Sequence, residues 1–159
     1  MSVPSVPRRR TAEPDHGIDQ RIVSALAGQG QRLTRHKAAV IAALADIHGP
    51  VTADAVVAAS GVPTSTAYRI LAELADALVV ARVAGADRID RFEVAEAFTD
   101  HHHHHLVCTT CGAVQDFEPG AAVERAVASE LSAVAASHGF AAARHVFDVH
   151  GTCASCLLP

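Results

Sequence analysis

The spacing of apolar residues predicts four helices in the first half of the chain. Apolar positions recur every three or four residues in residues 18–27, 34–46 and 64–77, and a shorter segment, TADAVVAAS, lies between the last two. Gly61 and Pro63 separate this short helix from the one after it. A helix, a short helix, a glycine-containing turn and a further helix form the order of a helix-turn-helix. The predicted N-caps are Thr34, Thr52 and Thr64.

The segment VVARVAGADRIDRFEVAE, which follows the last of these helices, is rich in β-forming residues. Gly85, Ala86 and Asp87 interrupt it, so a two-stranded hairpin is predicted. A hairpin directly after a helix-turn-helix forms a wing, which can lie along a DNA backbone. The candidate phosphate contacts are Arg82, Arg88 and Arg91, although two of the three are expected to be ordinary surface residues.

The second half of the chain has a different pattern. A strand-like HHHHLV, a CTTCG knuckle and a strand-like AVQDFE come first. An apolar helix then begins near Pro119 and Gly120, runs to Ser137 and is terminated by Gly139. RHVFDV is predicted to be a further strand, and GTCASC follows it. These elements indicate a small α+β domain.

Together the two patterns predict an α+β fold in which an N-terminal winged helix-turn-helix domain is followed by a small α/β domain. The start of the chain, rich in proline, arginine and acidic residues, predicts a disordered arm in residues 1–17. The winged-helix domain is expected to cover residues 18–95, a hinge residues 96–100, and the second domain residues 101–159.

Composition and charge fit two modules. Half of the 159 residues are hydrophobic, but no stretch approaches the roughly 18 apolar residues of a membrane span. The start lacks the apolar segment of a secretion signal, so the cytoplasm is the expected location. The chain up to Arg91 contains 11 Lys and Arg residues and 9 Asp and Glu residues. From Phe92 onward it contains 2 Lys and Arg residues, 8 Asp and Glu residues, and 8 of the 11 histidines. The asymmetry indicates a polyanion partner for the first half and cations for the second, although ordinary solvated surface explains it equally well.

The four cysteines form two CxxC pairs, Cys108/Cys111 and Cys153/Cys156, with about 41 residues between them. Two such pairs suit a tetrahedral four-thiolate zinc site, which can supply much of the folding free energy of a small domain. The alternatives are two disulfides, which are unusual in a cytosolic protein, or a redox dithiol.

A run of five histidines precedes the first cysteine pair. If the run is a strand, His101, His103 and His105 point to one face and His102 and His104 to the other. One strand can therefore supply two imidazoles to each of two metal sites, which carboxylates would complete. The alternative is a histidine-rich loop without function.

HHHHHLVCTTCGAVQDFE closely resembles the signature of the ferric uptake regulator family, whose pattern is roughly HHxHLxCxxCGxVxxF. TSTAYRILAELADALVV resembles that family's recognition helix and wing entrance, LTRHKAAVIAAL its second helix, and GTCASC its second CxxC. The resemblance covers residues 18–156. It implies a homodimeric, metal-responsive transcription factor, not an enzyme, that binds a double-stranded DNA operator and represses metal-homeostasis genes when metal is plentiful.

The resemblance also implies metal ligands. The four cysteines match a structural zinc site, and His103 and His105 match the strand ligands of a sensor site between the domains. The sensor carboxylate is Glu93 by motif or Glu96 by distance, because this chain is about three residues longer there. His48 lies nearest to the family's ligand from the first domain. An additional site matches His102, His104, Glu124 and His145.

On DNA, Tyr68 and Arg69 match the recognition-helix residues that approach bases and phosphates. Arginine can read guanine, and tyrosine can contact a thymine methyl group or a phosphate; the alternative for Tyr68 is a half-buried packing role. Ser65 and Thr66 lie at the helix start, where phosphate contacts are favourable. Arg82 is the wing contact.

Ligands that mix nitrogen and oxygen admit Fe2+, Zn2+, Mn2+ or Ni2+ as the regulatory metal, beside structural Zn2+. No cysteine is left over for a sensor site, which disfavours one zinc-sensing type of the family. Three other functions remain open. They are a peroxide-sensing regulator of the same family, a zinc-dependent hydrolase, which needs an open metal position beside a general base, and a metal-buffering protein, which would leave the wing unexplained. No membrane partner is expected.

Overall fold

The computed structural model describes residues 19–47, 49–99, 102–141 and 144–157, so the predicted N-terminal arm lies outside it. The helices are α1 (Gln20–Gly28), α2 (Arg35–Asp46), α3 (Ala53–Ser60), α4 (Thr64–Asp76), α5 (Ala121–Ser137) and α6 (Ala154–Leu157). The strands are β1 (Val51–Thr52), β2 (Val80–Ala84), β3 (Asp90–Val94), β4 (His104–Cys108), β5 (Val114–Phe117) and β6 (Asp148–Gly151). A single-turn 3-10 helix, Glu96–Phe98, joins the two halves. The mixed helix and strand content confirms the predicted α+β class.

Two of the three predicted N-caps are confirmed. The side chains of Thr34 and Thr52 each accept a hydrogen bond of 3.3 Å from the backbone N–H three residues on. The third prediction is wrong, because Thr64 is already the first residue of α4. The N-cap is Pro63, whose ring carries no hydrogen-bond acceptor. The first N–H groups of α4 therefore keep no side-chain acceptor at the cap, which suits an anion.

The first four helices and the first sheet share one core. Their apolar stripes meet because each helix places its apolar residues on one face. Phe98 of the 3-10 helix packs against the edge of this core. Residues of the core with no exposed surface include Leu26, Val40, Val56, Leu74 and Val79.

The predicted hairpin is present, and the structure adds a strand to it. β2 and β3 pair antiparallel with Arg82 opposite Phe92, and β1 pairs with the other edge of β3 through Val51 and the same Phe92. The sheet order is therefore β1-β3-β2. The sequence pattern missed β1 because two residues are too few to show an alternation.

The second sheet has the order β5-β4-β6, with β4 antiparallel to β5 and parallel to β6. β4 starts at His104, two residues later than predicted. The strand predicted at 144–149 is only partly correct, because β6 begins at Asp148 and continues to Gly151. Its ladder needs β4 as a partner, and Asp148 is the residue that lies opposite His105.

α5 has the predicted extent, but none of its residues is buried. Gly139 follows it with φ 74°, the left-handed conformation that ends helices. The short α6 was not predicted. Within the described residues, no helix combines the length and the apolar character that crossing a membrane requires.

The turn of the wing lies against the first cysteine knuckle. Both carboxylate oxygens of Asp87 accept hydrogen bonds from the Arg91 guanidinium, at 3.0 and 2.9 Å, and Arg91 is only 8% exposed. This pairing lowers the pKa of Asp87 to about 2. Gly112 of the knuckle packs so closely that a Cβ atom there would lie 2.3 Å from Asp87 Cγ. The wing and the knuckle are therefore in direct contact.

Candidate metal centres and DNA-facing surface

The alternation of side chains along β4 separates the histidines into two pairs. The rings of His103 and His105 lie on one side, with centroids 5.5 Å apart. Those of His102 and His104 lie on the other, with centroids 4.7 Å apart. His102 and His103 precede the strand itself, but they continue its alternation.

His103 and His105 meet two carboxylates. Glu93 from β3 and Asp116 from β5 complete a group in which one ligand atom of each residue lies within 4.8 Å of the others. Glu93 Oε2 lies 3.2 Å from His103 Nε2, and Glu93 Oε1 lies 3.3 Å from His105 Nε2. We call this group the first cluster. Its donor set, two imidazoles and two carboxylates, fits a divalent metal ion.

The first cluster has a supporting carboxylate behind it. Asp148 Oδ1 lies 3.1 Å from His105 Nδ1, the nitrogen that faces away from Glu93. Burial lowers the pKa of His105, but hydrogen bonds to Glu93 and Asp148 outweigh burial and raise it above its usual value. A carboxylate behind a histidine in this way fixes the ring orientation and leaves Nε2 to ligate.

His102 and His104 belong to a second cluster, completed by Glu124 of α5 and by His145. Glu124 Oε2 lies 3.1 Å from His104 Nε2, and His104 is fully buried. The hydrogen bond from His104 is the main cause of a lowered pKa of Glu124. Three imidazoles and one carboxylate again form a donor set suited to a divalent metal ion.

Two nitrogens of the second cluster are buried without hydrogen bonds. Glu124 Oε1 lies 3.1 Å from His102 Nε2 and 2.8 Å from His145 Nε2, but neither contact is a hydrogen bond. Among the described residues neither nitrogen has another partner. An unpaired buried polar atom is costly, and ligation of a cation would satisfy both nitrogens.

The structure separates the two candidate sensor carboxylates. Glu93 lies in the first cluster, whereas Glu96 lies on the 3-10 helix with its Oε1 against His102 Nδ1. The 3-10 helix thus carries Glu96 to the side of the second cluster. His48, the expected ligand from the first domain, lies outside the described residues.

The four cysteines form a third cluster, with all four sulfur atoms within 4.8 Å of one another. The thiols are free, and the Sγ atoms of Cys111 and Cys153 are 3.7 Å apart, too far for a disulfide bond. Backbone N–H groups of Cys111 and Cys153 lower the pKa of Cys108 to about 5. Hydrogen bonds with Cys153 and Cys111 raise the pKa of Cys156 to about 12. The cluster could bind zinc, because four sulfur atoms this close together suit a tetrahedral four-cysteine site.

The predicted DNA contacts lie on one end of α4. Ser65, Tyr68 and Arg69 are exposed and Thr66 is half-buried. Tyr68 donates a hydrogen bond of 2.9 Å to Asp54, which raises the pKa of its hydroxyl. These side chains stand beside a helix N-terminus without a side-chain cap, an arrangement suited to phosphate.

Arg69 belongs to a polar network that joins α4 to α2. Its NH1 lies 2.7 Å from Glu73 Oε1, and Lys37 Nζ lies 3.0 Å from Glu73 Oε2. Lys37 is buried, and Gln31 provides its second acceptor at 2.7 Å. The hydrogen bond from Lys37 is the main cause of a lowered pKa of Glu73.

The three wing arginines have different environments. Arg82 is exposed, lies 3.8 Å from Asp90 and stacks over Phe92 at 5.8 Å. Arg88 is exposed at the turn, with φ 64°. Arg91 is buried against Asp87 and is therefore neither an exposed candidate for phosphate contact nor an ordinary surface arginine.

Sequence reasoning missed Asp116 and Asp148. Asp116 was visible in AVQDF as a carboxylate on a strand next to the histidines, but the register that places it opposite His105 was not. Asp148 lies opposite His105 on the other side of β4. Both depend on the register in which a strand pairs with β4, which no local pattern encodes.

Comparison with known proteins places the chain beside one family. A sequence model of the ferric uptake regulator family matches residues 28–150. No curated protein sequence matches the chain. The ferric uptake regulator of Vibrio cholerae is 25% identical, with a TM-score of 0.61 over 82% of this chain and 98% of that one.

Two further solved structures share the fold at lower identity. The Helicobacter pylori ferric uptake regulator, described as having three functional metal-binding sites, is 17% identical, with a TM-score of 0.68 over 92% of this chain and 96% of that one. The Pseudomonas aeruginosa ferric uptake regulator, solved with manganese, is 20% identical, with a TM-score of 0.64 over 82% and 96%.

Proposed function

The chain belongs to the ferric uptake regulator family of metal-responsive transcription regulators, and we propose that it is a repressor whose operator binding depends on a divalent metal ion. Members of this family are dimeric DNA-binding proteins and not enzymes. Residues 18–95 form the DNA-binding domain, residues 96–100 the hinge, and residues 101–159 the metal-binding dimerisation domain. The cytoplasm is the place of action.

The observation that supports metal-dependent regulation most directly is that the first cluster takes its ligands from both sheets. Glu93 comes from the wing strand β3, whereas His103 and Asp116 come from the segment before β4 and from β5. The donor atoms can only converge when the wing lies against the second sheet. Any ion that prefers the converged arrangement therefore stabilises it, and this differential affinity is the linkage that regulation needs.

The first cluster is accordingly the sensor site. His103, His105, Glu93 and Asp116 hold the metal, and Asp148 orients His105. When bound, a metal ion there would supply a positive charge that offsets the repulsion between the carboxylates of Glu93 and Asp116. In its absence the same carboxylates repel each other, so the wing is held less firmly.

The remaining clusters have other roles. The four cysteines hold a structural Zn2+ that fixes the knuckle and the end of the chain. The second cluster, His102, His104, Glu124 and His145, is an additional site. The regulatory metal is one of Fe2+, Zn2+, Mn2+ and Ni2+, because imidazole and carboxylate ligands suit all four.

DNA is bound by the exposed end of α4 and by the wing. Tyr68 and Arg69 contact bases and phosphates, Ser65 and Thr66 contact phosphates at the helix start, and Arg82 follows the backbone from the wing. An ion pair with Glu73 orients the Arg69 side chain. Loss of Arg69 would weaken binding, and it would relax sequence preference if the side chain reads a guanine.

A homodimer is supported by the exposed apolar surface of the second half. α5 has no buried residue although alanine and valine dominate it, and Val123 and Val134 are more than half exposed. Phe140, just beyond it, is 74% exposed. Apolar surface of this kind marks an interface. Sedimentation should give a dimer that Phe140→Asp weakens and that Glu130→Ala, on the same helix, leaves intact.

The experiment is a DNA-binding titration with each metal. A duplex is selected from a random library with metal-loaded protein, and its affinity is measured with Zn2+ retained in the cysteines and Fe2+, Zn2+, Mn2+ or Ni2+ added. A coupling of ~1–3 kcal/mol predicts ~5- to 150-fold tighter binding with the sensed metal. His103→Ala with His105→Ala should abolish this gain.

The matched control is His138→Ala with His150→Ala, which removes two exposed histidines outside the three clusters and should leave the gain unchanged. DNA affinity that ignores both chelation and the loss of His103 and His105 would refute metal-dependent regulation through this site.

A further inference from the structure

We propose that Glu96 is a positioning residue of the second cluster, which holds the Nδ1 proton of His102 so that Nε2 is left to bind the metal. Glu96 was a candidate for the sensor site by its distance to the histidines, and the 3-10 helix carries it to the other face instead. The inference rests on the proposed additional metal site and adds a residue outside its four donors.

The two nitrogens of His102 face different carboxylates. Nδ1 contacts Glu96 Oε1, and Nε2 lies 3.1 Å from Glu124 Oε1. An ionised carboxylate can only accept a hydrogen bond, so the contact with Glu96 requires the proton of the neutral ring on Nδ1. The lone pair of Nε2 then points into the cluster, where this nitrogen has no hydrogen-bond partner among the described residues.

Glu96 itself stands behind the ligands and not among them. The donor atoms that lie within 4.8 Å of one another come from His102, His104, Glu124 and His145. Glu96 reaches this group only through the far nitrogen of His102. A carboxylate behind a metal-binding histidine fixes its tautomer and strengthens the ligand. With Glu124, it also brings two negative charges to the site, which a divalent cation balances.

The 3-10 helix that carries Glu96 is fastened to the DNA-binding half. Arg21 of α1 donates a hydrogen bond of 2.9 Å to the Ala97 carbonyl oxygen, and its guanidinium lies 6.0 Å from the Phe98 ring centre. Phe98 packs against the first core. Glu96 therefore joins the second cluster to the hinge on which the winged helix is mounted.

The first measurement is the tautomer of His102 in metal-free protein, from long-range nitrogen–proton NMR spectra at pH 8. The wild type should carry the proton on Nδ1. Glu96→Ala should shift it toward Nε2, which free histidine prefers, and Glu96→Gln should retain part of the Nδ1 form through its amide oxygen. A proton on Nε2 in the wild type would overturn the proposal.

The second measurement is the affinity of the cluster for Co2+, in protein with Zn2+ in the cysteines and with His103→Ala and His105→Ala to disable the first cluster. Glu96→Ala should weaken Co2+ binding ~10- to 100-fold, as loss of such supporting groups does elsewhere. Glu130→Ala, an exposed glutamate on the helix of Glu124, should change nothing.

The outcomes distinguish the inference from its premise. If the His103→Ala, His105→Ala protein stays folded by circular dichroism but binds no Co2+, the additional site is refuted, and with it the role of Glu96. Co2+ binding that does not respond to Glu96→Ala would refute the role of Glu96 alone.

Discussion

Replacing Gly112 with alanine tests whether the wing turn packs on the cysteine knuckle. Gly112 has φ 72°, and an added Cβ would lie 2.3 Å from Asp87 Cγ. Gly139 offers a matched control, because its φ is 74° and, apart from Gly139 and its two chain neighbours, no described residue has an atom within 4 Å of its Cβ position. Both alanine variants place a side chain in a left-handed backbone conformation, but only the side chain at position 112 would collide with the wing.

The expected magnitudes follow from these two terms. A left-handed conformation costs an alanine about 1–2 kcal/mol in either variant. Each alanine also lowers the conformational entropy of the unfolded chain. This contribution is the same for both variants, so it cancels when their free energies of unfolding are compared. A side chain forced into occupied space costs ~1–3 kcal/mol more. Asp87 cannot move aside freely, because Arg91 holds both of its oxygens.

The assay is urea unfolding of the zinc-loaded protein, followed by circular dichroism. Gly112→Ala should lower the free energy of unfolding by ~2 kcal/mol more than Gly139→Ala. In an Asp87→Ala background the obstruction is gone, so the two variants should become equal. Equal losses in the wild-type background would show that the wing does not rest on the knuckle.

Three further outcomes are expected. Glu73→Ala leaves Lys37 buried with only Gln31 to face it, so it should cost ~2–3 kcal/mol in urea unfolding, whereas Lys37→Met should cost less than ~1 kcal/mol; the reverse order would contradict a buried ion pair. Leu74→Ala empties a site with no exposed surface and should cost ~2–5 kcal/mol by the same measurement. The pKa of His105 is raised above 6.5 in the folded protein, so its contribution to stability is present below pH 6.5 and is lost as the pH rises through the folded value. In metal-free protein, the difference in Tm between wild type and His105→Gln should therefore shrink from pH 6 to pH 8, and a growing difference would contradict the shift.

The sequence predicted the features that depend on local order. Helical spacing gave α1 to α4, glycine and proline gave the turns between them, and alternation alone placed His103 beside His105 and His102 beside His104. The spacing of the four cysteines indicated the cluster that the structure contains. The helices, the turns and the alternation are retained in the fold because their causes lie within a few residues of chain.

The features that sequence reasoning missed depend on where side chains point in the folded chain. Asp116 and Asp148 reach His105 through two different neighbours of β4. Arg91 looked like a surface arginine until the turn placed Asp87 against it. Glu96 could be counted along the chain, but the direction in which a single 3-10 turn would point it could not. In each case the missing information was a direction in space and not a residue type.

The run of histidines that leads into β4 has a consequence for changes in its own length. The strand is aligned from its far end, by Cys108 and by pairings that begin at His104. Loss or gain of one histidine here would still leave histidine at the four positions counted back from Leu106, and the change in length would fall on the connection before them. A run that looks redundant therefore keeps both pairs of histidine ligands in place when its length changes by one residue.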